Sequence, residues 1–310
     1  KSDLVVETSR KTRNKQGRAG VIYEINAAKG LTLAIAIDVK QIQLRLTDLS
    51  LKVIRDQCFY IDPGWQQAEL AEAILRFIRL AVQDQSSPLL AIGVSVAVPV
   101  NSQTGEILAL PYSKFTVIHG INFKTLLEEH FACPVALDND VNWATLAEKS
   151  LGIAKNVSDF VFIYFGEGIG AGIYLDNHLI RGSTGISGEI GHIMVNNNEN
   201  LQDFVSNHHL QQALEDGVDL TGHPAISQIG NTLASIAAVI NPKMFVLGGP
   251  MTKYPQFIPA IIKQIQPQLF NEVSFIPSNA PNYAPLNGVQ AGTYELALSS
   301  FGLPSPPEAE

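Results

Sequence analysis

The sequence predicts an α/β fold in two similarly built halves, each a sheet flanked by helices, with a cleft expected between them. Three observations carry this reading. At 310 residues the chain exceeds what a single hydrophobic core fills, about 250–300 residues. Short β-rich apolar runs alternate with segments of helical periodicity, and the alternation occurs twice. A buried apolar run at residues 244–247 ends in Gly248-Gly249, where the chain can leave a strand and approach a ligand closely.

The first half opens with an apolar run at 31–39, continues through alternating Ile42, Leu44 and Leu46, and reaches a further strand at 53–61. Leu70, Ile74, Phe77, Ile78 and Ala81 recur at helical spacing across 67–82, and the β-rich run 89–98 stops at Pro99. The second half is looser. A helix is read at 121–131, a short strand at 134–137, a helix at 141–151 and a strand pair at 160–165 and 171–175. A long apolar helix at 226–240, the strand at 244–247 and a helix at 257–269 complete it.

Composition narrows the function classes. Hydrophobic residues are 46% and charged residues 16% of the chain, and no apolar stretch approaches the ~20 residues of a membrane span. Two cysteines, Cys58 and Cys133, cannot staple a body of this size, and no signal-peptide pattern opens the chain. A cytoplasmic, soluble protein is expected, and the absence of an initial Met points to a fragment or a processed chain. Residues 1–20 hold six basic and two acidic side chains, net +4, within a chain of net −8, so the remainder carries −12. An acidic body repels phosphate backbones, whereas a basic arm either lies along one or is a solvated linker.

The most informative run is Gly182-Ser183-Thr184-Gly185-Ile186-Ser187-Gly188-Glu189-Ile190-Gly191-His192. Glycines let backbone approach a ligand, while Glu189 and His192 offer an acceptor and an adaptable ring nitrogen to sugar hydroxyls. Alone, the run reads equally as a glycine turn with a surface Glu and a packed His. A second run, Asp138-Asn139-Asp140-Val141-Asn142, stands at a helix start, where orphan amides favour a carboxylate as cap or as ligand anchor. Gly93-Val94-Ser95-Val96-Ala97-Val98-Pro99, the strand before Gly248-Gly249, and Gly288-Val289-Gln290-Ala291-Gly292 complete an ordered series.

Together these motifs resemble the ROK family of repressors, uncharacterised reading frames and sugar kinases, over roughly residues 17–300. The resemblance implies a two-lobed actin-like, sugar-kinase (ribonuclease H-like) fold. Its implied parts are the end of a winged helix and a linker at 1–30, an N-terminal lobe at 31–138 and a C-terminal lobe at 139–290. A closing helix at 291–303, returning to the N-terminal lobe, and a disordered tail at 304–310 follow. In the kinases the residue matching Asp140 is the general base. Asn139, Asp140, Glu189, His192 and Gln202 fall at sugar-contacting positions, Gln202 replacing a Glu.

The nucleotide side departs from the family. Active members begin with Asp-x-Gly-Gly-Thr, where this chain has Asp38-Val39-Lys40-Gln41-Ile42. Side chains stand where backbone amides should meet phosphate, and Lys40 does not rebuild the loop. Gly166-Glu167-Gly168 has Glu where the family has Thr, opposing the charge of a nucleotide; Gly248 and Gly249 match the paired-glycine nucleotide loop. Residues 194–204 lack the family's three zinc-binding cysteines, so no metal is expected there. Adjacent His208 and His209 are expected on the surface. In Pro111-Tyr112-Ser113 the family's polar sugar-contacting residue after Pro is replaced or shifted.

The opening, Leu4-Val5-Val6-Glu7, then a charged stretch through Lys15, then Gly17-Arg18-Ala19 and Tyr23-Glu24-Ile25-Asn26, resembles the junction between winged helix and core in ROK repressors. The resemblance therefore implies a sugar-sensing effector domain. Its effector is a monosaccharide or a derivative in the interlobe cleft, its second partner operator DNA reached through an upstream winged helix, and its assembly a homodimer or higher homo-oligomer. It implies no cofactor, no catalytic residue and no membrane partner. The alternative is an ATP-dependent, glucokinase-like sugar kinase with Asp140 as base.

Overall fold

A computed structural model describes residues 4–11, 20–108, 115–279 and 284–302. Expectations for residues 12–19, for Pro111, Tyr112 and Ser113, and for the tail at 304–310 lie outside the described residues. The chain divides into two compact units, one of residues 1–140 and 289–308, the other of residues 141–288 and 309–310.

In the first unit β1 (Val5–Lys11) and β2 (Gly20–Ile25) pair antiparallel as a two-stranded ribbon, with Val5 opposite Ile25. The sheet that follows contains β3 (Leu31–Ile37), β4 (Gln41–Asp48) and β5 (Val53–Tyr60), an antiparallel meander. After α1 (Gln67–Val82) come β6 (Leu89–Val96), α2 (Phe123–Phe131) and β7 (Val135–Asn139), the two strands parallel to β3 in the order β5-β4-β3-β6-β7. The alternation of β4 is realised: Ile42, Leu44 and Leu46 are buried while Gln41, Gln43 and Arg45 face the other way. They meet the buried stripe of α1, Leu70, Ile74, Phe77, Ile78 and Ala81, in one core. A capping box starts α1, the Gln66 amide donating to Glu69 Oε2 at 2.8 Å.

The second unit repeats this plan. α3 (Asp140–Ser150) leads from the first unit into β8 (Phe160–Phe165), β9 (Ile169–Leu175) and β10 (His178–Ile180), again an antiparallel meander. α4 (Leu201–Asn207), α5 (Leu210–Glu215) and α6 (Pro224–Ile240) precede β11 (Met244–Gly248), and α7 (Phe257–Ile265) precedes β12 (Ser274–Pro277). Strands β11 and β12 run parallel to β8, giving the order β10-β9-β8-β11-β12. Phe165, Phe245, Leu247 and Phe257 are fully buried in its core.

Two helices depart from the sequence reading by more than two residues. The helix expected over 257–269 ends as an α-helix at Ile265, because Pro267 cannot supply the next backbone donor, and a single 3₁₀ turn follows. The final helix, α8 (Ala284–Ser299), begins before residue 291. Pro285 suits a first helical turn, and Gly288 and Gly292 are tolerated inside it.

Candidate functional site

The Gly182–His192 run owes its course to what its glycines lack. β10 pairs with only the last three residues of β9, and beyond it the glycine run takes over the edge, Ala171 N–H donating to the Gly188 carbonyl at 2.8 Å. Gly188 sits at φ +93°, and a Cβ there would overlap the Ala171 carbonyl oxygen. Ile190, buried against Ile169, Leu201 and Val205, anchors the segment in the core. A 3₁₀ turn over Ile190–His192 then brings Glu189 and His192 to one place, Oε2 and Nε2 at 4.0 Å, both side chains half-buried. A carboxylate and an imidazole so placed can accept from and donate to neighbouring hydroxyls.

Gln202 stands at the start of α4, which Asn200 caps by accepting from the Asp203 amide at 2.8 Å. Its Oε1 accepts from the Ile169 amide at 3.3 Å and lies beside Gly168 and Gly191. Gln202 thus ties the glycine run to the loop at residues 166–168, using its carbonyl on the protein backbone and keeping its amide group as donor. In that loop the Gly166 amide donates to the Gly168 carbonyl at 3.0 Å, with Glu167 exposed between them. Gly249, at φ +94°, presses against the backbone of Phe165, so the paired glycines and the 166–168 loop abut.

The loop at residues 194–200, where the family's zinc cysteines are absent, is closed by amides and a carboxylate. Asn196 Oδ1 accepts from the Asn198 and Glu199 amides, each at 2.9 Å, and Glu199 accepts from Asn196 and Asn207 side chains, each at 2.8 Å. Those bonds, Asn207's first, hold the Glu199 carboxyl below its ordinary range. The sequence reading missed this network, though Asn in a five-residue polar run is a turn-closing signal. Among the described residues no group of three or more His, Cys, Asp or Glu could hold a metal. His208 stacks on Phe204 at 4.0 Å, and burial together with the nearby His208 lowers the pKa of His223.

In the first unit β7 delivers Asn139 and the helix start Asp140, both half-buried. Buried Asp138 fixes the bend by accepting from the Asn139 amide at 2.8 Å. Asp140 lies in the first turn of α3, where the helix dipole favours a carboxylate. At the β3–β4 turn, Asp38 Oδ1 accepts from the Lys40 amide at 2.7 Å and the Gln41 amide at 2.8 Å. Lys40 is exposed, and Gln41 accepts from the Cys58 thiol at 3.2 Å. Ile42 points into the core.

The ROK family model matches residues 32–203. One of several xylose repressors similar to the chain is a putative xylose repressor from Caldicellulosiruptor sp. (strain Rt8B.4), 30% identical over 191 residues, covering 61% of this chain and 47% of the relative. The chain thus spans about half the length of that relative. The crystal structure of a ROK family transcriptional regulator, homolog of E. coli MLC protein, superimposes with a TM-score of 0.76 at 21% identity, over 96% of this chain and 87% of that one. A ROK hexokinase from Thermus thermophilus does so with 0.71 at 20% identity, over 88% and 100%. These likenesses establish the two-lobed actin-like sugar-kinase fold. Among the described residues no helix is long and apolar enough to cross a membrane.

Proposed function

This chain belongs to the ROK family, and on that premise we propose that it is the sugar-sensing effector region of a transcriptional repressor. It binds a monosaccharide or a derivative through Asn139, Asp140, Glu189 and His192, with Gln202 supporting them, and does not phosphorylate it. Binding controls a DNA-reading winged helix upstream, in a cytoplasmic homodimer or higher oligomer, where paired half-sites mirror a protein two-fold axis. The xylose repressors among its relatives make D-xylose the first sugar to test.

The observation that carries the reading is the turn at Asp38. A phosphate-wrapping hairpin must offer free backbone amides. Here the two amides that donate to Asp38 belong to Lys40 and Gln41, which carry side chains where the kinases of the family have glycines, and exposed Glu167 adds a like charge on the second loop. The family contains both kinases and non-enzymatic repressors, and the retained Asp140 and paired glycines support the second reading, an ATP-dependent sugar kinase. A coupled ADP-release assay over common pentoses and hexoses separates them. The sensor reading expects sugar binding without turnover, and sugar-dependent ADP release abolished by Asp140→Asn would establish the kinase.

A further inference from the structure

Helix α8 meets a different neighbour at each end. Near its start, a Cβ at Gly288 would overlap the carbonyl oxygen of Trp143, so α8 lies backbone to backbone on α3, three residues after Asp140. Val289, the next residue, and Thr293, one turn beyond it, cover Gly93 of β6. Near its end, fully buried Ala297 packs with Leu4, Leu49 and Ala91, and Ile25, Tyr294 and Phe301 close the cluster. Leu4 and Ile25 form the base of the β1–β2 ribbon, where the Leu4 carbonyl accepts from the Asn26 amide at 2.7 Å.

We propose that α8 is a transmission rod between Asp140 and the ribbon. Residues 288 and 297 lie about 14 Å apart along a helix rising 1.5 Å per residue. With no side chain at Gly288, no flexible group stands between the α3 backbone and α8 to absorb a shift, and close-packed contacts of this kind relocate rather than deform. A ligand that repositions Asp140 therefore moves the first turn of α3, α8 with it, and the seat of Leu4 and Ile25. For its input this inference rests on the sensor reading; its mechanics do not.

Hydrogen exchange on the 310-residue chain tests it without a ligand. In Gly288→Ala, exchange at Asn26 and along residues 22–25 should rise about fivefold or more, the low end of ordinary coupling between sites, while β3 stays protected. A folded Gly288→Ala with unchanged ribbon exchange overturns the proposal. Should that variant not fold, Leu4→Ala, which leaves α3 intact, must raise exchange at Gly288 and Val289 by a similar factor, and no change there overturns it equally. Adding D-xylose to the unmodified chain separates the two readings. Binding seen by calorimetry with no change in ribbon exchange refutes the rod and leaves the sensor standing. Ribbon exchange coupled to Gly288 in a chain that binds neither D-xylose nor any of the pentoses and hexoses of the turnover assay supports the rod and removes the sensor.

Discussion

At Gly188 the backbone lies against the Ala171 carbonyl because no side chain intervenes, and the neighbouring Glu189 and His192 are held half-buried at 4.0 Å from each other. At Asp38 the opposite has happened. Side chains have replaced the glycines, and the amides of Lys40 and Gln41 are turned inward onto a carboxylate. On the sensor reading proposed above, the two turns differ in what they leave open: the glycine run holds backbone and two polar side chains close together, whereas the turn at Asp38 satisfies two of its own donors.

The largest expected effect breaks the first side. Gly188→Ala adds strain at φ +93° to a collision with the Ala171 carbonyl. It should cost about 2–5 kcal/mol, from strained backbone and overpacking together, read as a lowered urea midpoint with sugar binding lost. Asp140→Ala removes the proposed sugar anchor without disturbing the glycine run. It should weaken sugar affinity by about 1.5–3 kcal/mol, the range for a hydrogen bond to a charged group, with Asp140→Asn milder in the same titration.

The second side can be sharpened by undoing it. Lys40→Gly with Gln41→Gly and Glu167→Thr should raise ATP affinity about tenfold from a very weak starting value, one charge-assisted hydrogen bond's equivalent. Ile42 is left in place because it belongs to the core. Tight ATP binding by the unmodified chain, measured calorimetrically, would contradict the diagnosis.

Smaller effects concern the loop that supports Gln202. Asn200→Ala deletes the α4 cap and should lower stability by about 1 kcal/mol, seen as a small shift in the thermal midpoint. Glu199 is held below its ordinary value of 4.5 by Asn207 and Asn196. Its folded form therefore binds fewer protons than its unfolded form, so its contribution is present above that value and lost as pH falls through the lower folded value. The protection of residues 194–200 against hydrogen exchange, taken relative to the intrinsic rate at each pH, should fall on acidification below about 4.5, the ordinary value, and Glu199→Gln should flatten that dependence.

Much of this was legible because it follows from periodicity. The stripe Leu70, Ile74, Phe77, Ile78 and Ala81 is buried as helical spacing requires, and the two apolar runs at 160–165 and 171–175 pair antiparallel. The short edge strands β10 and β12 carry too few residues for alternation to register. The role of Gln202 was hidden for another reason: its Oε1 is spent on the Ile169 amide, a partner 33 residues away that no local pattern reveals. Likewise Gly288, read in sequence only as the start of the closing segment Gly288–Gly292, is the point where α8 rests on the Trp143 carbonyl.

The central claim is that the site binds sugar and does not transfer phosphate, and a single calorimetric experiment addresses it. D-xylose is titrated into the chain with ATP and Mg²⁺ present, beside Asp140→Ala as control. The account predicts a saturable one-to-one binding heat, absent or much weakened in the variant, followed by a flat baseline. A sustained heat flow that depends on both sugar and ATP and vanishes in Asp140→Ala would show turnover and contradict it.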